Sequence, residues 1–305
     1  MPIVVFGSIN LDLTAYVPRL PHPGETISGS SFITVPGGKG SNQAVCARRL
    51  GAPTHFIGRT GQDAFGREVL DAVSHEGVDT SRVFKDPAAG TGLAVINVDE
   101  HAENSIIIIP GANGRLDASD VDRAADLLDK DSILMLQLET PLAPSLELAR
   151  IARGLGAKAI LDPAPAFPLP GEVYRSMDIL TPNEGETGIL TGIYPESRED
   201  CVRAAEILIS RGVSIVAIKM GVKGVFFQSP SISGFIDPFK VEAIDSVAAG
   251  DAFNGGLAVA LFEGKDLAEA VRWGAAAGAL ACTRKGAMPS MPRRDELETL
   301  LRAQA

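Results

Sequence analysis

Apolar segments alternate with amphipathic segments along most of the chain. The N-terminal run "IVVFGSIN" predicts a strand, and "GGKGSNQAVCARRLG" predicts a helix that opens from glycines and ends before Gly51. The same order recurs in "SILMLQLE" with "LAPSLELARIARGLG", and in "DILTPNE" with "EDCVRAAEILISRG". Alternating apolar strands and amphipathic helices predict an α/β fold, a doubly wound and mostly parallel sheet flanked by helices on both faces.

Two regions interrupt this order with strands that have no helix between them. Residues 13–36 contain "TAYVPRLPHPGETISGSSFITV" and residues 90–110 contain "GTGLAVINVDEHAENSIIIIP", and each predicts a hairpin. Together they could form a small sheet that covers a ligand as a lid. A third hairpin, "GVFFQSPSISGFIDPF", precedes three helical segments. Because no repeat or interdomain linker is present, we expect residues 1–305 to form a single domain.

Composition and charge narrow the possible partners. Hydrophobic residues make up 45% of the chain and aromatic residues 5%, which suits an aliphatic core around a sheet. The net charge of -10 argues against nucleic acid, although helix N-termini could still bind a small phosphorylated ligand. The three cysteines have no CxxC spacing, so neither a disulfide framework nor a zinc site is expected. Without a basic leader or a long apolar run, no membrane partner is expected, and a cytoplasmic enzyme or binding protein is favoured.

Polar residues after two apolar runs are candidate ligand contacts. Asn10 and Asp12 are expected at the end of the first strand, where alternation points both side chains to one side. Their amide and carboxylate suit vicinal hydroxyls, but an Asp after a strand is also typical of a turn or a helix cap. Glu139 ends another apolar run, and it is either solvated or part of a polar site because a lone buried carboxylate is costly.

The segment "GGKGSN" at residues 37–42 would let backbone amides approach a ligand closely, since glycine has no Cβ. A glycine pair before a helix is also an ordinary turn, and Lys39 alone would be a solvated surface lysine. The segment is not a phosphate-binding Walker A loop, because Gly40 follows Lys39 where Ser or Thr is required. No GxGxxG follows the first strand, which weakens a dinucleotide-binding interpretation.

"TPNEGET" places Asn183 and Glu186 three residues apart, on one face of a helical turn. Their oxygens suit magnesium held through water, because magnesium dehydrates reluctantly. Asn followed by Glu at this spacing is equally typical of a helix cap. The motif alone leaves both interpretations open.

"SVAAGDAFNGG" places small residues and one carboxylate where an apolar helix begins. The amides of Ala248, Ala249 and Gly250 would form an anion hole for charge that develops on phosphate oxygens, with Asp251 as the base beside them. An Asp in the first helical turn is also ordinary complementation of the helix dipole. The dipole is expected to keep the pKa of Asp251 low, so that it chiefly orients a hydroxyl and accepts its proton late.

In order, "GSINLD", "PGGKGSNQA", "QLE", "TPNEGE", "KMGVKG", "DSVAAGDAFNGG" and "TRKGAMPS" resemble the carbohydrate kinases of the ribokinase family. The resemblance runs from about Ile3 to Pro292. It implies a ribokinase-like fold with a small β-sheet lid, and ATP-dependent phosphorylation of the 5-hydroxyl of D-ribose. It also implies Mg²⁺ and an activating monovalent cation, usually K⁺.

The resemblance assigns roles position by position, with Asp251 as the catalytic base and Ala248, Ala249 and Gly250 as the anion hole. The positions that match ribose contacts are Asn10, Asp12, Gly38, Lys39, Gly40, Ser41, Asn42, Glu139 and Asp251. The positions that match nucleotide contacts are Asn183, Lys219, Met220, Gly221, Val222, Lys223, Gly224 and Gly250. Glu186 completes the Asn-x-x-Glu motif associated with magnesium. The positions that match the monovalent-cation loops, mainly through backbone carbonyls, are Asp245, Val247, Ala281, Arg284, Gly286 and Ser290.

The chain departs from the family at Ala275, in "WGAAAG", where relatives commonly present a polar residue to the nucleotide. The family's lid pairs with a second subunit, and Ile106–Ile109 would supply an apolar face for a homodimer; alternatively, this strand is buried against its own domain. Two other functions remain open. One is phosphorylation of deoxyribose, fructose or a nucleoside, and the other is a non-catalytic sugar-binding regulator on the same fold.

Overall fold

The computed structural model describes residues 2–101 and 103–304. The strands are β1 Ile3–Phe6, β2 Asn10–Tyr16, β3 Ser31–Gly37, β4 Thr54–Ile57, β5 Arg59–Gly61, β6 Phe84–Asp86, β7 Gly92–Val98, β8 Asn104–Ile109, β9 Ile133–Leu136, β10 Lys158–Leu161, β11 Ile179–Leu180, β12 Ile215–Lys219, β13 Val225–Gln228 and β14 Ser233–Ile236. The α-helices are α1 Lys39–Arg49, α2 Ala64–His75, α3 Ala118–Ala125, α4 Leu142–Leu155, α5 Gly171–Ser176, α6 Glu184–Thr191, α7 Arg198–Ser210, α8 Ala249–Phe262, α9 Leu267–Ala281 and α10 Arg294–Ala303.

The main sheet has the order β14-β13-β12-β11-β10-β9-β1-β4. Pairing is parallel from β12 across to β4, and the β13–β14 hairpin adds two antiparallel strands at one edge. The prediction of a mostly parallel sheet is therefore confirmed. Since the parallel strands share one direction, their carboxyl ends all lie on the same side of the sheet. This is where α/β folds bind ligands.

Helices cover the main sheet on both faces, and the alternation of side chains along β1 shows the division. Ile3 and Val5 pack into a core layer with residues of α1, α8 and α9, while Val4 and Phe6 pack into a second layer with residues of α3, α4 and α7. All four side chains are fully buried. The apolar strand and the apolar faces of the amphipathic helices thus bury each other, as the sequence pattern predicts.

A separate small sheet has the order β3-β2-β7-β8, built from the two regions that interrupt the strand–helix order. Here one expectation is wrong, because Asn10 and Asp12 lie on β2 of the small sheet and not at the end of the first main-sheet strand. After Phe6 the chain leaves the main sheet, and from Asn10 onward it pairs with β3 and β7. The alternation argument still holds, since both residues occupy every-second positions of one strand.

Two glycines show why the chain turns sharply between the small sheet and α1. Gly38 has φ +97°, and a Cβ there would lie 2.8 Å from the amide nitrogen of Asn10. A Cβ on Gly40 would lie 2.7 Å from the amide nitrogen of Ser8. Only glycine permits this close approach, which places the start of α1 against the segment that follows β1.

Within residues 2–101 and 103–304, no helix is long and apolar enough to cross a membrane.

Candidate active site

Polar side chains gather at the carboxyl ends of the parallel strands. Glu139 follows β9, Asp162 follows β10, and Lys219 is the last residue of β12. The N-termini of α1 and α8 face the same region, because Asn42 and Gln43 in the first turns of α1 bond to Asp251 in the first turn of α8. The fold therefore brings together residues that are more than two hundred positions apart.

Asp251 is held in a single orientation and is 4% exposed. Asn42 Nδ2 donates to its Oδ2 at 2.9 Å, and Gln43 Nε2 donates to its Oδ1 at 3.1 Å. Close packing of α8 on α1 makes this possible, since a Cβ on Gly255 would lie 2.6 Å from Cys46 Sγ. Glycine in "FNGG" thus serves the approach of two helices that carry the site.

The expectation of a low pKa for Asp251 is wrong. Burial, with a contribution from the nearby Asp162 carboxylate, raises its pKa to about 6, although Lys39 and the two amide donors oppose the rise. Removal from water penalises the charged form by more than the helix N-terminus and the hydrogen bonds favour it. A carboxylate with a pKa near 6 is a better general base at neutral pH than one near its ordinary value.

The N-terminus of α8 has no side-chain cap. Ala248 occupies the cap position with φ 60°, the only non-glycine residue with positive φ in the described part of the chain. Its amide and that of Gly250 donate to no protein acceptor within residues 2–101 and 103–304, whereas Ala249 N donates to Ser246 O at 3.3 Å. Two of the three amides expected in an anion hole are therefore open, and the third makes a long turn bond.

The glycine-rich turn before α1 lies beside Glu139. Lys39 N donates to Glu139 Oε2 at 3.1 Å, and the same oxygen accepts from Ser8 Oγ. Ser41 Oγ donates to the carbonyl oxygens of Gly37 and Gly38, so its side chain fixes the turn. Burial lowers the pKa of Lys39, but the carboxylates around it, led by that of Asp251, outweigh burial and raise it. Lys39 is a cation within the site and not a solvated surface lysine.

Asn10 and Asp12 approach the same site from the small sheet. Asn10 is 5% exposed, and Asn113 Nδ2 donates to its Oδ1 at 2.7 Å. Burial raises the pKa of Asp12 to about 6, with further contributions from Glu139 and Asp251. The carboxylates of the small sheet and the main sheet thus lie close enough to repel each other.

Asn183 and Glu186 form a complete capping box at the start of α6. Asn183 Oδ1 accepts from Glu186 N at 2.8 Å, and Glu186 Oε2 accepts from Asn183 N at 2.7 Å. Burial raises the pKa of Glu186, and Lys219 opposes the rise. Both oxygens of Glu186 already accept bonds from Asn183. This donor set fits a magnesium ion contacted through water and does not fit one held directly by several carboxylates.

The segment expected to bind nucleotide lies beside α6, because Lys219 N donates to Pro182 O at 2.9 Å. Gly221–Lys223 form a short 3₁₀-helix in which Val222 is 91% exposed, whereas Met220 is 2% exposed and contributes to the core. Gly224 has φ +106°, and a Cβ there would lie 2.3 Å from the Ile236 carbonyl oxygen. Ala275 lies in α9, where it is half-buried and packs against the core.

The segments expected to hold a monovalent cation are tied together by Asp245. Its Oδ1 accepts from Val247 N at 3.0 Å, and its Oδ2 accepts from Gly286 N at 2.9 Å. Arg284 pairs instead with Glu296, Ala281 O accepts a backbone bond from Arg284 N, and Ser290 Oγ donates to Ala287 O. In the described residues, no group of three His, Cys, Asp or Glu side chains could hold a metal. A cation here would therefore depend on carbonyl oxygens.

Several residues of the site were missed from the sequence. Gln43 bonds to Asp251 and Asp162, and Gln137 Nε2 donates to Gln43 Oε1 at 2.7 Å. Asp162 Oδ1 lies 2.9 Å from Nζ of Lys219, which is itself one of the predicted nucleotide contacts. Asn113 anchors Asn10 from the 3₁₀-helix after β8. The signal for Asp162 was present, because it follows the apolar run "AIL" as Glu139 follows its own strand. For the glutamines, only the fold shows which partner they reach.

An open helix N-terminus beside a buried carboxylate, facing a glycine-rich turn, has the groups that phosphoryl transfer to a hydroxyl requires. The chain belongs to the pfkB family of carbohydrate kinases, whose profile matches residues 2–294.

Individual relatives and solved structures show which members of this family the chain is similar to. The chain is 42% identical to ribokinase of Haemophilus influenzae, over 96% of each sequence. The structure of a Thermotoga maritima ribokinase superposes with a TM-score of 0.90 at 37% identity, covering 99% of both chains. Arabidopsis thaliana ribokinase, solved with ribose and ATP, gives 0.89 at 37% identity over 98% of each. A deoxyribokinase of Salmonella typhi is 33% identical over 99% of both sequences.

Proposed function

We propose that this carbohydrate kinase transfers the terminal phosphoryl group of ATP to the 5-hydroxyl of D-ribose, giving ribose 5-phosphate and ADP. The observation that carries the proposal is the placement of Asp251, buried and doubly hydrogen-bonded, beside the open amides of Ala248 and Gly250. The similarity to ribokinases over almost the full length of the chain supports ribose as the acceptor.

In the proposed reaction, Asp251 orients the sugar hydroxyl and accepts its proton. Asn42 and Gln43 hold the carboxylate in place, which reduces the reorganisation needed to reach the transition state. With a pKa near 6 the carboxylate is ionised at neutral pH and still basic enough to take a proton. Asn10, Asp12 and the turn around Lys39 supply hydrogen-bonding groups for the remaining sugar hydroxyls.

Phosphoryl transfer needs little covalent chemistry from the protein. Catalysis therefore depends mainly on positioning and on neutralising the negative charge that spreads over the phosphoryl oxygens. The open amides at the start of α8 are positioned to do this from the protein side. Magnesium, when bound, neutralises phosphate charge, and Glu186 would contact it through water. Asp245 would organise the loops around a monovalent cation such as K⁺ by holding Val247 and Gly286.

The experiment that tests this function is ADP release with ATP and magnesium, in the presence and absence of D-ribose. We expect turnover that depends on ribose and rises with K⁺. Absence of ribose-dependent turnover would reject the proposal. An enzyme that turns over a different sugar would be a related kinase, and a protein that binds sugar without turnover would be a regulator.

A second candidate acceptor, 2-deoxyribose, is favoured by the similarity to a deoxyribokinase. The polar groups of Asn10 and Asp12 favour ribose, because a site built to bond a hydroxyl leaves its own groups unpaired with the analogue that lacks it. We expect kcat/KM for 2-deoxyribose to be lower by up to about 10⁴-fold. Equal values for the two sugars would contradict this assignment.

We also propose that the small sheet closes over the sugar as a lid and pairs with a second copy of the chain. Ile106–Ile109 are 46–57% exposed, so the alternative that this strand is buried against its own domain is wrong. Phe32, on the other edge strand of the same sheet, is 68% exposed. An exposed edge strand with a continuous apolar run is stable in water when a partner covers it.

Sedimentation at micromolar concentration tests the dimer. We expect a dimer for the unmodified protein and a monomer for Ile107→Lys, because a buried lysine without a partner is costly in an apolar interface. A protein that sediments as a monomer at every concentration would contradict the proposal. The single-domain organisation and the cytoplasmic location remain predictions from the sequence.

A further inference from the structure

The structure contains an ion pair beside the catalytic base that the proposed mechanism has not used. Lys219 Nζ lies 2.9 Å from Asp162 Oδ1, and the Asp162 side chain is 3% exposed. The lysine side chain is 14% exposed, and Lys219 is the last residue of β12. Removing two charges from water is costly, so the pair needs a reason beyond stability.

The ammonium group of Lys219 lies against the anion hole. A Cβ built on Gly250 would lie 3.3 Å from Lys219 Nζ, so the glycine leaves room for the cation beside the open amide. Within residues 2–101 and 103–304, Asp162 is the sole hydrogen-bond acceptor for this ammonium. A lysine ammonium has three donors, so two remain for a ligand.

The same ion pair is joined to the base through one side chain. Gln43 Nε2 donates to Asp251 Oδ1 at 3.1 Å and to Asp162 Oδ2 at 3.2 Å. Gln137 Nε2 donates to Gln43 Oε1 at 2.7 Å, which fixes the orientation of the amide. Gln43 is 1% exposed, and each of its polar atoms is engaged. The position of the cation and the orientation of the base are therefore linked.

We propose that the Lys219 ammonium neutralises charge on the phosphoryl group during transfer, and that Asp162 and Gln43 are positioning residues. Asp162 holds the ammonium beside the amide of Gly250, and Gln43 holds Asp162 and Asp251 at a fixed separation. This inference rests on the proposed kinase function and assigns catalytic roles within it. It adds a side-chain cation to the backbone amides that the helix N-terminus supplies.

The alternative is that Asp162 serves only to satisfy the charge of a buried lysine. Lys219→Met alone cannot separate the two roles, because it leaves the Asp162 carboxylate buried without its cation and destabilises the fold. The double variant Lys219→Met with Asp162→Asn removes both charges together. If the pair is structural, the double variant recovers both stability and turnover.

We expect the double variant to recover the melting temperature that Lys219→Met loses, while kcat stays about 10²-fold below that of the unmodified protein. In binding titrations without sugar, both variants should lose more affinity for ATP than for ADP, since the cation acts on the terminal phosphate. A control pair is Arg82–Asp126, which is exposed and separated by 2.8 Å, and Arg82→Met with Asp126→Asn should leave kcat unchanged.

Asp162→Asn tests the electrostatic link between Asp162 and the base. Asp251 is faced by Lys39 from α1, Asp12 from β2 and Asp162 after β10, with Asn42 and Gln43 donating to it. Removing the repulsion from Asp162 should move the acid limb of kcat/KM to lower pH.

Gln43→Met should lower kcat by about tenfold with little change in the KM for ribose. Gln62→Met, at an exposed glutamine whose amide donates to Lys85 O, is its control.

Three results overturn different claims. If the unmodified protein shows no ribose-dependent ADP release, the proposed function and this inference both fail. If the unmodified protein turns over ribose and the double variant reaches the same kcat, only the role of Lys219 fails. An unchanged acid limb in Asp162→Asn, together with unchanged kcat in Gln43→Met, would remove the positioning roles.

Discussion

Helices α6 and α8 both begin at the ligand-facing end of the main sheet, and both carry acidic residues in the first turn. Their N-termini are satisfied in opposite ways. At α6, Asn183 has an extended backbone and forms a complete capping box with Glu186. At α8, Ala248 has a left-handed backbone and no side chain caps the helix.

The difference shows that local stability is lower at the start of α8, where we propose that the chemistry takes place. Capping typically contributes about 1 kcal/mol, and a left-handed alanine costs roughly 1–2 kcal/mol, so α8 begins less favourably than α6 on both counts. In return, the amides of Ala248 and Gly250 remain open beside Asp251, the proposed base. Departures from local rules that the surrounding structure maintains are typical of functional sites.

The largest effect is expected from Asp251→Asn, which keeps the size of the side chain and removes the base. We expect kcat to fall by about 10²–10⁴-fold, because the hydroxyl loses both its orientation and its proton acceptor. ADP release at saturating ribose and ATP measures the effect. The control is Glu199→Gln, in the first turn of α7, which should leave kcat unchanged. Equal losses in both variants would mean that the acid at α8 has no special role.

The pH dependence gives an effect of intermediate size. The pKa of Asp251 is raised to about 6, so the carboxylate is ionised above pH 6 and protonated below it. A general base works when ionised, and kcat/KM should therefore be constant above about pH 7 and fall towards tenfold per unit below pH 6.

Asp12 complicates the assignment of this pH limb, because its pKa is also raised to about 6. Measuring the pH profile of Asp12→Asn separates the two carboxylates. We expect this variant to bind ribose less tightly while its kcat keeps the acid limb, which belongs to Asp251. Loss of the limb in Asp12→Asn would transfer the base role to Asp12.

Much of the fold could be predicted from the sequence, because the local periodicity of apolar residues indicates strands and helices. The main sheet, the separate small sheet and the helix that begins within "GGKG" all follow from such patterns. The short helices α3 and α5 were not predicted, since six to eight residues give little periodicity. The placement of Asn10 on β2 was missed because Gly7 and Ser8 signal a turn, but no local pattern shows that the chain enters a different sheet after it.

The candidate site was predictable where residues belong to a local motif and not where they act across the fold. Asp251 and the amides before it lie in one segment, and Asn183 and Glu186 lie in another. Gln43 and Asp162 meet over a separation of 119 positions, which no local pattern encodes. The pKa of Asp251 was misjudged for the same reason, because burial depends on tertiary packing whereas the helix dipole can be read locally.

The smallest effects are expected at the two caps themselves, and they should have opposite signs. Asn183→Ala removes the capping box and should lower the free energy of unfolding by about 1 kcal/mol. Ala248→Gly relieves the left-handed alanine, and after the greater flexibility of glycine in the unfolded chain is included, it should raise that free energy by less than about 1 kcal/mol. Denaturant titration measures both. A loss of stability in Ala248→Gly would mean that the left-handed conformation carries no strain, and the contrast between the two helix starts would then rest on capping alone.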